Sequence, residues 1–124
     1  MKKIITLSLS IAYFTMLCAS NEAEDLAVKK CGECHLMGVT SAEKIKNMKA
    51  PPYWAIAKKA REAFEKKEDR VKYILDYTIN PSEDKMLFPK ETVKLFGVMP
   101  SQKDKVSEEE IKLISEYILE NKPM

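Results

Sequence analysis

Residues 29–38 read KKCGECHLMG: Cys31 and Cys34 stand three apart, and His35 follows the second directly. Three chemistries use cysteines at this spacing, and the rest of the chain weighs between them. A structural zinc site needs four ligands. Cys31, Cys34 and His35 would supply three, and beyond residue 20 the sequence holds no further cysteine or histidine. Adjacent Cys34 and His35 are also awkwardly placed to share one tetrahedral ion. A redox dithiol belongs at the opening of a helix after a strand, in a βαβ context, and no period-two strand pattern persists in this sequence. The third reading gives every residue a task. Cysteines three apart on a helical turn can each form a thioether to a vinyl group of one porphyrin. His35, four residues beyond Cys31, then swings under the iron as an axial ligand. Cys-x-x-Cys-His is the attachment signature of c-type haem. A haem c is the reading taken forward, with zinc and a bare dithiol as its rivals.

Outward from the motif the chain reads as helices. Residues 23–34 form a short one, with Leu26, Ala27, Lys30 and Cys31 on adjacent faces, and a loop from Leu36 to Ala50 follows. After Pro51-Pro52, YWAIAKKAREAFEKK (53–67) sets Tyr53, Ile56, Ala57, Ala60 and Phe64 at helical spacing. Pro52 suits a first helical turn, and Glu62 with Lys66 makes an i,i+4 pair. A third helix, 69–79, places Val71, Ile74, Leu75 and Thr78 on one side before Pro81 stops it. Residues 80–106 read as irregular. Ser107 and Glu110 form a capping box that opens the last helix, whose stripe is Ile111, Ile114 and Ile118 with Tyr117 beside it. The expected fold is all-α, with about four helices.

The first twenty residues, MKKIITLSLSIAYFTMLCAS, stand apart from this pattern. Lys2 and Lys3 precede a mostly apolar run, and Cys18 and Ser20 supply small residues at a cleavage site, which is the form of a secretory signal peptide cut after Ser20. The rival readings are a retained anchor and a lipidated Cys18. The run is shorter than the ~20 residues of a spanning helix, and Leu17 is bulky for lipoprotein processing. The domain is then 21–124. Loss of residues 1–20 removes two lysines and no acid, which brings the formal charge of +2 to zero. No basic excess argues for nucleic acid. A domain this small has a limited core, which a cofactor would help to fill.

With these motifs in view, the sequence resembles the small class I cytochromes c over nearly all of 21–124. The short helix leading into the attachment motif is EDLAVKKCGECH. A segment before the next helix is APPYWAIAKKA, with Ala50 where the family usually has glycine. A Met-Pro loop before the last helix is GVMPSQKDKVSEEEIKLISEYI. The resemblance implies a fold wrapped around one covalently bound haem. It makes Met99 the distal axial ligand and the Pro51 carbonyl the acceptor of the other ring N–H of His35. It also pairs the first and last helices, through Leu26 or Ala27 against Tyr117, although the family's glycine and aromatic are missing from the first.

The sixth ligand can also be approached by counting. His35 is the only histidine, so two histidines cannot ligate one iron within this chain. Methionine and, behind it, lysine remain. Met37 is too close to His35, Met48 lies on the proximal side, and Met124 is terminal. Met86 and Met99 share the later loop, and Met99 has the stiffer setting between Gly97 and Pro100. A thioether opposite imidazole favours reduced iron and raises the potential. Two filled axial positions suit outer-sphere electron transfer rather than catalysis, so an enzyme is not expected. The expected function, as the resemblance implies, is a monomeric periplasmic electron carrier between a membrane cytochrome complex and a terminal oxidase or reductase. A haem c subunit of a periplasmic oxidoreductase and a haem-based ligand sensor are the alternatives. Weaker signals are Tyr53 and Trp54, Phe88, Leu95 and Phe96, each read as core or as haem border. Arg61 and Arg70 read as solvated. Lys85, Lys90, Lys94, Lys103 and Lys105 read as a solvated face or a docking ring.

Overall fold

The structure is a computed structural model and describes residues 22–121. The signal-peptide reading of 1–20 lies outside them. Six α-helices are present among these residues: α1 (22–31), α2 (Ala42–Lys46), α3 (Tyr53–Ala63), α4 (Lys67–Ile79), α5 (Lys90–Phe96) and α6 (Glu108–Glu120), with a 3₁₀ turn at Glu83–Lys85. No strand occurs among the described residues, and the fold is all-α.

The expected count of about four helices is corrected to six. α2 and α5 fall in stretches read as loop, and neither buries a single residue, so no apolar stripe announces them. Their ends hold them instead. Ser41 Oγ accepts the Lys44 N–H at 3.2 Å to open α2. α5 starts from Pro89, whose ring presets φ, and ends at Gly97, where φ is +74° and the N–H reaches the Val93 carbonyl at 2.7 Å.

α6 forms as read. Ser107 Oγ accepts the Glu110 N–H at 3.2 Å, and the Glu110 carboxylate accepts the Ser107 N–H at 3.0 Å. Ile111, Ile114, Tyr117 and Ile118 are buried, joined by Ser115 and Leu119. α3 and α4 both pack on this face. Ala57 and Ala60 are completely buried, and so is Ala27 of α1. Small side chains there let backbones approach closely, and they leave little volume to give up.

Two details depart from the sequence reading. Phe64 turns to extended backbone (φ −133°, ψ 129°), so α3 ends at Ala63 and Lys66 leaves its surface. Glu62 pairs with Lys59 at 3.0 Å instead. Arg61 and Arg70 are not merely solvated. Arg61 Nη2 donates to the Leu119 carbonyl at 2.6 Å, and Arg70 donates to the carbonyls of Phe64 and Glu65 at 2.7 and 2.9 Å. The last carbonyls of a helix lack intrahelical donors, and the guanidinium fork serves them well.

Phe64, Tyr73 and Tyr77 form an aromatic row with centroids 5.4 and 5.9 Å apart. The Tyr73 hydroxyl donates to the Lys85 carbonyl at 2.8 Å and ties the 3₁₀ turn to α4. Burial, with Tyr77 beside it, pushes the Tyr73 phenol up to about 12 from 10.0. In the unfolded chain Tyr73 loses its proton first, so its contribution to stability is whole below pH 10 and is lost as pH rises through about 12. Tyr73→Phe is expected to flatten the alkaline loss of helicity in that window, read by far-ultraviolet circular dichroism against pH. An unchanged alkaline limb would count against this role.

Candidate functional site

Cys31 is the last residue of α1, and residues 32–35 continue as a turn rather than as helix to residue 34. Gly32 favours that exit, since glycine loses most entropy in a helix. The Cys31 carbonyl accepts the N–H of both Cys34 (3.3 Å) and His35 (3.0 Å), so His35 follows Cys31 by one helical turn.

The loop after the motif is closed by two backbone bonds. Lys49 N–H donates to the Cys34 carbonyl at 3.1 Å, and Tyr53 N–H to the Leu36 carbonyl at 3.1 Å. Leu36 and Met37 are buried beneath it. Gly38 makes the turn with φ +67°, and its N–H donates to the Tyr117 hydroxyl at 3.0 Å. A Cβ on Gly38 would sit 3.1 Å from a Val28 methyl and 3.3 Å from the Glu24 carboxylate. α6 therefore reaches the motif through one phenol. Ala27 shares the buried cluster with Tyr117, and the Tyr117 ring lies 5.6 Å from that of Tyr53.

This closure brings the Pro51 carbonyl to 2.6 Å from His35 Nδ1. A carbonyl only accepts, so Nδ1 carries the hydrogen, and the lone pair of the neutral ring is on Nε2. Burial holds the His35 pKa below its ordinary 6.5, against the opposing pull of the Pro51 bond. No buried side-chain nitrogen or oxygen among the described residues lacks a partner, and Nε2 has none among these residues, so Nε2 is not sealed into the core. Cys31 is half-buried, Cys34 is exposed, and neither is in a disulfide. Burial, then the neighbouring Cys34, push the Cys31 thiol up to about 11.

The structure thus brings together Cys31, Cys34, His35 and Pro51. A cavity of about 210 Å³ beside them is lined by Cys34, His35, Met37, Met48 and Lys44 among others, and Met99 is not part of it. Met99 is half-buried on the stretch after α5. Met86 is half-buried at the end of the 3₁₀ turn, and Met37 belongs to the core. Of the weaker signals, Tyr53 is core, and Trp54 meets it edge-on at 5.3 Å. Phe88 and Phe96 are half-buried, whereas Leu95 is 74% exposed. Lys85 is committed to Asp76 at 2.8 Å and to the Asn80 carbonyl at 3.0 Å, which takes it out of a docking ring. Gly38 and Tyr117 were missed as site residues. Gly38 was visible as one of only three glycines, but nothing local linked it to a tyrosine 79 residues away.

The donor chemistry sorts the three readings. Among the described residues no group of three or more histidine, cysteine or acidic side chains could hold a metal ion, so a zinc centre is short of donors. A reactive dithiol needs a thiolate, which the positive N-terminal end of a helix favours. Cys31 instead ends α1, where the dipole is negative, and its thiol is held protonated. Two unpaired thiols one turn apart and a neutral imidazole with a free Nε2 fit a haem c. No family model matches the sequence, and no solved structure matches it. A protein of Aquifex aeolicus (strain VF5), described as an uncharacterized protein, is 26% identical over 133 aligned positions, which span 97% of this chain and 87% of that protein.

Proposed function

We propose that residues 21–124 form a monohaem cytochrome c of the class I type, exported to the periplasm with loss of residues 1–20. In this reading the protein carries one electron at a time between a membrane cytochrome complex and a terminal oxidase or reductase, and it is not an enzyme. The observation that carries the proposal is the His35 Nδ1 to Pro51 carbonyl contact of 2.6 Å beside the unpaired Cys31 and Cys34. Bound there, a haem c supplies a one-electron couple.

Each residue then has a stated part. Cys31 and Cys34 would tether the porphyrin as neutral thioethers, which suits the half-buried Cys31 better than a thiolate would. Pro51 fixes the tautomer and ring plane of His35 and makes Nε2 more basic, as a partner on the far ring nitrogen does for ligating histidines. The 34–53 closure holds that ring still between oxidation states. Met99 would supply a thioether, a weak ligand that favours the reduced state.

The test begins with expression beside c-type maturation machinery. Colour should stay with the polypeptide on denaturing electrophoresis. The ferric protein should show the weak near-infrared band of methionine ligation, and Met99→Ala should abolish it. A band unchanged in Met99→Ala rejects that assignment and turns attention to Met86 and Met48.

A second reading, a haem subunit of a periplasmic oxidoreductase, is favoured by exposed apolar side chains around Met99, with Leu95 at 74% and Val98 at 40% exposed. A partner that co-purifies in fixed ratio with the native protein would select it over a free carrier.

A further inference from the structure

We infer that the segment after Met99 is the C-terminal cap of α4, and that Ser101 is a positioning residue for Met99. The inference rests on the reading of Met99 as an iron ligand. Helix ends leave carbonyls without donors, and the end of α4 has unusually few ways to satisfy them locally. Its last turn carries no basic residue, and Asn80 has φ −123° rather than the left-handed conformation that closes many helices. The next residue, Pro81, has no N–H to give.

Lys85 Nζ meets the Asn80 carbonyl at 3.0 Å, and the donors for Thr78 and Ile79 come from more than twenty residues further on. Gln102 N–H donates to the Thr78 carbonyl at 3.0 Å, and Ser101 Oγ to the Ile79 carbonyl at 2.5 Å. Behind these hooks the segment is folded on itself. Gln102 Nε2 reaches the Pro100 carbonyl at 2.8 Å, and the Gln102 carbonyl accepts the N–H of Lys105 and Val106, the latter buried. On the other side of Met99 the chain is less constrained: Gly97 is exposed, a Cβ there would meet nothing within 4 Å, and Val98 is exposed. Met99 is therefore held mainly from its C-terminal side, two residues from the Ser101 hook. Release of Met99 and loosening of the end of α4 become one event.

The test uses the holoprotein with Ser101→Ala and Ser101→Thr. In Ser101→Ala the Gln102 amide should exchange with solvent about fivefold faster, the equilibrium weight of one ordinary hydrogen bond. The reduced protein should bind carbon monoxide about fivefold faster, because binding waits on the released fraction of Met99. The Asn121 amide at the end of α6 serves as the control and should not change, and Ser101→Thr should restore both rates. Unchanged Gln102 exchange, or faster exchange with an unchanged carbon monoxide rate, overturns the inference while the near-infrared band still answers to Met99→Ala. A band that survives Met99→Ala rejects the ligand assignment itself, and the positioning role with it.

Discussion

Changing Cys31 and Cys34 together to serine yields a chain that leaves c-type maturation with no covalently bound haem. A serine hydroxyl does not form the thioether, and nothing else in 22–121 offers a thiol. Coordination by His35 and the proposed Met99 would then be the only attachment, and a porphyrin held only by coordination is extracted into acidified solvent. The consequence extends to the fold. Leu36, Met37 and Met48 line the cavity at His35, and losing a large apolar group from beside them removes stabilisation at about 25 cal/mol per Å² of contact. Lower helicity and a lower melting temperature should accompany the loss of colour. The single variants should each keep one thioether and an altered spectrum. Colour that follows the doubly substituted polypeptide through a denaturing gel would end the haem c reading.

Ile111→Ala should be the most damaging single truncation of the apolar core. Ile111 is 2% exposed and stands in the first turn of α6, the helix on which α3 and α4 both pack. Truncations of this kind cost about 2–5 kcal/mol, the higher values belonging to sites that cannot collapse into the cavity. Collapse is hard here, because α3, which packs on α6, buries Ala57 and Ala60, which have nothing further to reach with. In a domain of this size the loss corresponds to a melting temperature lower by roughly 10–25 °C. Urea unfolding should show a lower midpoint with an unchanged slope. Lys112→Ala, on the exposed side of the same turn, should stay within about 0.5 kcal/mol of the parent. Equal effects from the two variants would mean that α6 is not the hub of this core.

Much of this was legible along the chain because it is local. The capping box of α6 spans Ser107 to Glu110, and its stripe repeats every three or four residues. α3 and α4 announce themselves in the same way. α2 and α5 do not, since helices of one or two turns that bury nothing leave no periodicity to read. The capping roles of Arg61 and Arg70 were equally hidden, because which carbonyls a long side chain reaches depends on where a helix stops.

The site divides along the same line. Cys31, Cys34 and His35 are neighbours in the chain, so their spacing alone brought the thiols and the imidazole within a turn of one another and pointed to the haem c proposed for them. The state of that imidazole was decided elsewhere. Pro51 lies 16 residues from His35, and Tyr117 lies 79 from the Gly38 amide it holds. Only the closure of the 34–53 loop against α6 sets the proton on Nδ1 and leaves Nε2 open. Met99 shows the limit most clearly: composition narrows the proposed ligand to a methionine or, behind it, a lysine, but the segment after Met99 is tied to the end of α4, whose Thr78 and Ile79 carbonyls find these donors only after the helices have packed. Bonding between chain neighbours is written into residue order, whereas pairing across tens of residues depends on loop closures that burial of the α6 face must first stabilise.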